Sequence, residues 1–213
     1  MIIYIVSQMK KSLIIIVIIL VYLLTYSCKK TEPEHFYVSN AFKQWTVFDI
    51  GSYWIFKNDS TLQLDSVYVK NKPEFLNIPA YSSKDNYTLE WIEMSYSSVF
   101  FSSSKIILQE GGRETFYIHI NDNSMYTLIA NSQDNFISFY ENKNEGSTYQ
   151  LLSQDSVFYL GLKKFVNVVR TQHTFDGKKW TFWFAKDIGL IKVTGENTYP
   201  DFSWSLVRYQ IVN

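Results

Sequence analysis

The residue types in this chain that could do chemistry are few and scattered. Its only cysteine is Cys28, and its three histidines are His35, His119 and His173. A single thiol excludes zinc sites built on paired cysteines. The histidines lie far apart in sequence, so a shared metal site requires the fold to bring His119 beside His173; otherwise each is exposed or satisfied in the core. We therefore predict no metal site.

Motifs for nucleophilic or phosphate chemistry are absent. The sequence has no Gly-x-Ser-x-Gly elbow, no glycine-rich phosphate loop and no calcium-loop spacing. Glu90 and Glu93 share a predicted strand, where a three-residue spacing puts them on opposite faces. They do not form the paired carboxylates of a glycosidase, although a pair contributed by distant segments stays open. We predict no catalytic residues and no cofactor, so the chain is not expected to be an enzyme.

Cys28 is informative because of what precedes it. It follows an uninterrupted apolar run, residues 13–24, which itself follows two lysines at positions 10–11. A secretory signal has a basic start, about 7–15 apolar residues and a small-residue cleavage region. A membrane-spanning helix needs about 20 apolar residues, which is longer than this run. Residues 1–27 are therefore predicted to be a signal peptide, with Met9 as an alternative start.

The four residues that end at the cysteine resemble the lipobox of bacterial lipoproteins, in which a leucine and two small residues precede a lipid-modified cysteine. Ser27 and Cys28 match this pattern, whereas Thr25 and Tyr26 depart from it. The resemblance implies lipidation of Cys28. Such a protein is anchored to a membrane of the cell envelope, facing the periplasm or the outer surface, without spanning the bilayer. A plain secretory signal and a lone buried cysteine are the alternatives.

The rest of the chain has the composition of one balanced domain. Residues 28–41 are polar and contain Pro33, which is typical of a flexible tether. Residues 42–213 are long enough for a single domain with its own core. The chain has 20 basic and 20 acidic residues, so no net field attracts nucleic acid. Aromatic residues make up 18% of the chain, which suits packing on pleated sheets or a stacking platform for sugars or lipids.

Alternating apolar and polar residues dominate the predicted domain and indicate an all-β, antiparallel fold with little helix. Asp176-Gly177 fits a two-residue hairpin turn. Residues 71–86 and 141–154 are predicted as long loops. The predicted strands cover residues 51–57, 64–69, 87–91, 99–109, 115–120, 125–129, 135–140, 165–174, 178–185, 188–193 and 203–212.

The C-terminal third resembles uncharacterised lipoproteins of the Bacteroidota. Residues 161–169, with a glycine, an aromatic and an Asn-Val pair, are followed at 183–192 by a segment similar to Tyr-Tyr-Ala-Lys-Gly-Val-Gly-Leu-Val-Lys. Asp187 occupies a position where glycine is common in that pattern. The resemblance implies a strongly curved sheet that forms a half-barrel or incomplete barrel, and it implies no activity.

Five tryptophans bear on whether the domain has an apolar binding face: Trp54, Trp91, Trp180, Trp183 and Trp204. They cannot all be fully buried unless the domain has two hydrophobic layers. An apolar concave face would bind an apolar ligand or a partner protein. A filled interior with an apolar outer patch would instead indicate a structural or assembly accessory protein without a small-molecule site.

Overall fold

The structure is a computed structural model. It describes residues 18, 19, 22, 34–71, 74–79, 87–98, 101–109, 113–120, 123–131, 135–198 and 201–212. The chain divides into two units, Met1–Glu34 and His35–Asn213.

In the first unit, Ile18, Ile19 and Tyr22 are helical and exposed. Within the described ranges, no helix combines the length and the apolar character needed to cross a bilayer. Cys28 lies outside the described residues, and so do the other residues of the predicted signal peptide, 1–27.

The described chain is built mainly of antiparallel strands, as predicted. Their bounds are β1 (Glu34–Phe36), β2 (Tyr53–Asn58), β3 (Leu64–Val69), β4 (Glu74–Pro79), β5 (Tyr87–Ser97), β6 (Phe101–Gln109), β7 (Arg113–Ile120), β8 (Asn123–Ala130), β9 (Phe139–Asn142), β10 (Ser147–Leu160), β11 (Lys163–Phe175), β12 (Lys178–Ala185), β13 (Gly189–Glu196) and β14 (Phe202–Gln210).

The half-barrel expectation is wrong. The strand order β8-β7-β6-β5-β3-β2-β14-β13-β12-β11-β10-β9 is an open path, with β1 and β4 paired to β5. One section of the sheet is β4 to β8 and the other is β2, β3 and β9 to β14. Among the described residues, the ladder between the two sections is that of β3 with β5, which share the pairs Tyr68↔Ser97 and Val69↔Tyr96. The sheet is therefore neither closed nor strongly curled.

The two sections pack face to face around one core. The rings of Phe116 on β7 and Phe184 on β12 lie 5.9 Å apart. The Thr171 hydroxyl on β11 donates to the Thr127 carbonyl on β8 at 2.5 Å. The predicted inward residues of β7, such as Ile118, are buried here. Alternation along each strand is the same for a curled sheet and for two facing layers, so it could not separate them.

One helix, α1 (Asn40–Thr46), precedes β2. The Ser39 hydroxyl accepts the Phe42 N–H at 3.1 Å, which makes Ser39 the N-cap. Phe42 and Trp45, three positions apart, are both buried. The predicted tether, residues 28–41, therefore overlaps the folded domain at its end. Seven residues are too few to show a convincing helical period in the sequence.

Two tight turns fix the C-terminal strands. Asp176 and Gly177 both have positive φ, 50° and 71°, and confirm the predicted hairpin turn between β11 and β12. Asp187 adopts φ 61° and donates its N–H to the Gln44 carbonyl at 2.9 Å, so the turn forms without glycine. At Gly189 a Cβ would lie 2.9 Å from Phe48 Cε2, so this position requires glycine.

The predicted loops hold strands. Residues 141–154 contain the end of β9 and the start of β10, and residues 71–86 contain β4, the rest of that range being described only at Asn71. The predicted strand at 135–140 starts later, because β9 begins at Phe139. These segments are rich in Asn, Ser and Gln, so their local pattern does not indicate strands. Hydrogen bonds to the neighbouring strands hold them in the extended conformation.

Candidate functional site

The structure places the three histidines in different surroundings. His35 is exposed and its Nδ1 lies 2.5 Å from Thr88 Oγ1. His119 is half-buried and its Nδ1 lies 3.0 Å from Ser124 Oγ, whereas His173 is 3% exposed. Within the described part of the chain, no group of three or more His, Cys, Asp or Glu side chains could hold a metal ion.

Glu90 and Glu93 lie on opposite faces of β5, as predicted. Glu90 is buried, accepts the Val38 N–H at 2.7 Å and pairs with Lys43 Nζ at 2.9 Å. Glu93 is half-buried and lies 3.7 Å from Lys105 Nζ.

A second buried carboxylate completes a clamp on the segment that leads into α1. Glu114 on β7 accepts both the backbone N–H and the hydroxyl of Ser39, the first at 2.5 Å and the second at 3.1 Å. Together with Glu90, it ties the chain before α1 to two strands of the sheet. Both carboxylates accept hydrogen bonds from backbone N–H groups and from the side chains of Lys43 and Ser39, so we interpret the clamp as structural.

The five tryptophans divide between the two faces of the sheet. Trp54, Trp180 and Trp204 are buried in the core. Trp91 and Trp183 are half-buried under basic side chains: Lys105 Nζ is 5.2 Å from the Trp91 ring, and Arg170 Cζ is 4.9 Å from the Trp183 ring. At these two rings, basic side chains therefore cover the outer face of the sheet in place of a second hydrophobic layer.

The core contains a small apolar pocket at its centre. Trp45, Phe48 and Trp54 line it together with Phe116 and Phe184, and its volume is about 40 Å³. An engineered cavity that binds benzene measures about 150 Å³. The pocket is therefore too small for an acyl chain.

The turn between β10 and β11 carries an apolar outer face. Val157, Tyr159, Leu162 and Val166 are between 51% and 104% exposed. The inward residues of the same hairpin, such as Phe158, pack against the core.

A larger cleft lies where β8 meets the ends of β10, β11 and β12, and we call it the β8–β11 cleft. Its volume is about 390 Å³, within the range of small-ligand sites. Its floor is formed by four buried residues, and its mouth by three exposed ones. The floor comprises Met125, Ser147, His173 and Trp180, and the mouth comprises Ser124, Glu145 and Phe175.

Two polar atoms at the floor lack hydrogen-bond partners. Among the described residues, no partner lies within hydrogen-bond distance of Ser147 Oγ or His173 Nδ1, and both atoms are buried. Burial lowers the pKa of His173 to about 4, so its ring is neutral at pH 7. A neutral imidazole offers one donor and one acceptor.

The mouth carries one oriented carboxylate. The Tyr126 hydroxyl donates to Glu145 Oε2 at 3.4 Å and accepts from Asn142 Nδ2 at 2.7 Å. Burial raises the pKa of Tyr126, against the lowering effect of the Asn142 hydrogen bond, so the hydroxyl keeps its proton. Glu145 is therefore held beside the cleft by an uncharged donor.

Sequence reasoning missed most of this cleft. Glu145 and Ser147 fall in the segment predicted as a loop, and the sequence suggests for His173 a metal site, an exposed position or a satisfied position in the core, but no ligand cleft. Asn142-Lys143-Asn144-Glu145-Gly146 is a turn signal that could have placed a hairpin between β9 and β10. No local signal brings β8 to this hairpin, because the contact joins distant parts of the chain.

No protein-family model matches the chain. No curated protein matches it either. A solved structure of a protein described as a candidate lipoprotein from Parabacteroides distasonis ATCC 8503 is similar over 77% of this chain and 97% of its own, with a TM-score of 0.34 and 10% identity.

Proposed function

We propose that this chain is a lipid-anchored protein of the cell envelope, whose β domain binds a ligand or partner at its surface without catalysing a reaction. The observation that carries the proposal is the position of Cys28, directly after a basic pair, a 12-residue apolar run at 13–24 and a serine. Acylation of this thiol would hold the domain at a membrane face through buried methylene groups.

The small volume of the core pocket supports binding at the surface. An apolar ligand inside the domain would need far more room than about 40 Å³. The β8–β11 cleft offers about 390 Å³ outside the core, with polar groups at both its floor and its mouth. We therefore place the binding role on the surface rather than in an apolar interior.

A second candidate function is favoured by one observation. The outer face of the β10–β11 turn, with Val157 and Leu162, is apolar and exposed. Monomeric proteins keep such patches small, so this face suits a structural or assembly accessory protein.

Metabolic labelling with an alkyne fatty acid tests the anchor. We expect the wild-type chain to take up the label, whereas Cys28→Ala loses it, because no other thiol exists. Ser27→Ala is the matched control, since alanine keeps a small residue before the cysteine and should preserve labelling. Equal labelling of Cys28→Ala and wild type would contradict the proposal.

A further inference from the structure

The β8–β11 cleft is a second feature that the anchor does not explain. Four of its lining residues are buried, and two of these carry the polar atoms without protein partners, Ser147 Oγ and His173 Nδ1. Buried polar atoms in native proteins are almost always satisfied. Of the five such atoms without partners among the described residues, these two belong to residues that line one cleft, which favours a hydrogen-bonding ligand there.

The charges around the cleft limit what that ligand can be. Among the described residues that line the cleft, Glu145 is the one charged side chain at pH 7, since His173 is neutral there and no lysine or arginine lines the cleft. A phosphate or carboxylate would meet a like charge there without a cation to offset it. The cleft therefore disfavours anions.

The remaining groups suit a molecule rich in hydroxyls. A carboxylate accepts hydrogen bonds, a serine hydroxyl both donates and accepts, and a neutral imidazole does each at a different nitrogen. A ligand hydroxyl can form a hydrogen bond with each of these three groups, since it also donates and accepts. Phe175, 40% exposed at the mouth, adds a ring face for the apolar C–H face of such a molecule.

We infer that the β8–β11 cleft binds a neutral, polyhydroxylated ligand of the size of one or two sugar rings, with Glu145 and Phe175 at the mouth and Ser147 and His173 at the floor. This inference rests on the proposed surface-binding role. It does not depend on the lipid anchor, so the two can fail separately.

Saturation-transfer NMR on the full chain, purified in a detergent without a sugar head group, tests the inference. The probes are glucose, galactose, mannose and N-acetylglucosamine, and empty micelles are the blank. We expect transfer to at least one probe, and about tenfold weaker binding by Glu145→Gln, because a hydrogen bond to a charged acceptor becomes a weaker one to a neutral amide oxygen. Glu141→Gln, an exposed glutamate on β9 outside the cleft, should bind like wild type.

Phe175→Ser provides a second variant at the mouth, with Phe139→Ser as its control, since Phe139 is 57% exposed and does not line the cleft. Weakened binding in Phe175→Ser alone supports the inference. Absence of transfer to all four sugars, or unchanged binding in both Glu145→Gln and Phe175→Ser, overturns it. Glu145-dependent binding of tetramethylammonium without binding of any sugar also overturns it, because the ligand is then a cation.

Discussion

For individual residues, the sequence predicts which face of a strand a side chain occupies better than it predicts the partner of that side chain. The opposite facing of Glu90 and Glu93 could be predicted, because strand periodicity alone fixes it. The partners of the buried glutamates Glu90 and Glu114 could not be predicted, since Val38 is 52 residues away from Glu90 and Ser39 is 75 residues away from Glu114. The same limit applies to His173, whose burial depends on the contact of β8 with β11.

His173 makes stability depend on pH. Its pKa is about 4 in the folded chain and about 6.5 when unfolded, so the unfolded state binds more protons between these values. Stability therefore falls as the pH drops from about 6.5 to about 4. We expect this one group to cost about 2 kcal/mol between pH 7 and pH 4.5, measured by urea unfolding.

A matched pair of variants isolates this contribution. In His173→Gln the loss of stability between the two pH values should be smaller by that amount, whatever the variant's stability at pH 7. His35→Gln, at an exposed histidine, is the matched control substitution. An identical pH dependence in His173→Gln and wild type would be inconsistent with a buried, neutral ring.

At the scale of elements, the strands with local signals were predicted best. β12 was predicted at its observed bounds, Lys178–Ala185, because alternation and the Asp176-Gly177 turn agree there. β4, β9 and β10 begin in polar segments, which are held as strands by hydrogen bonds to neighbouring strands rather than by a local pattern. α1 was missed since its Ser39 cap and two buried aromatics span only two turns.

The carboxylate clamp should hold the segment before α1 in place. Glu90→Ala leaves the Val38 N–H and the Lys43 ammonium without their acceptor, in a site that is largely buried. We expect a loss of about 2–4 kcal/mol in the free energy of unfolding. Amide hydrogen exchange should also become faster at Val38 and Ser39.

Glu93→Ala on the opposite face of β5 is the control. Its pair with Lys105 is partly exposed, so we expect a loss of less than about 1 kcal/mol. Similar losses in the two variants would show that the clamp does not stabilise the domain more than a surface ion pair does.

At the scale of the whole molecule, the fold class was predicted and the arrangement of the sheet was not. Alternation identifies antiparallel strands, but it carries no information on the β3–β5 junction, which depends on two residue pairs. The facing layers leave a core pocket of about 40 Å³, and they place the larger cleft outside the core. The proposed anchor, in contrast, is inferred from the sequence before the domain.

Native mass spectrometry of the chain extracted from cell membranes tests the central claim most directly. The account predicts the mass of residues 28–213 plus covalent acyl groups on Cys28, with no apolar ligand retained inside the domain. The mass of residues 1–213 with the leader attached, or of residues 28–213 with an unmodified cysteine, would contradict it.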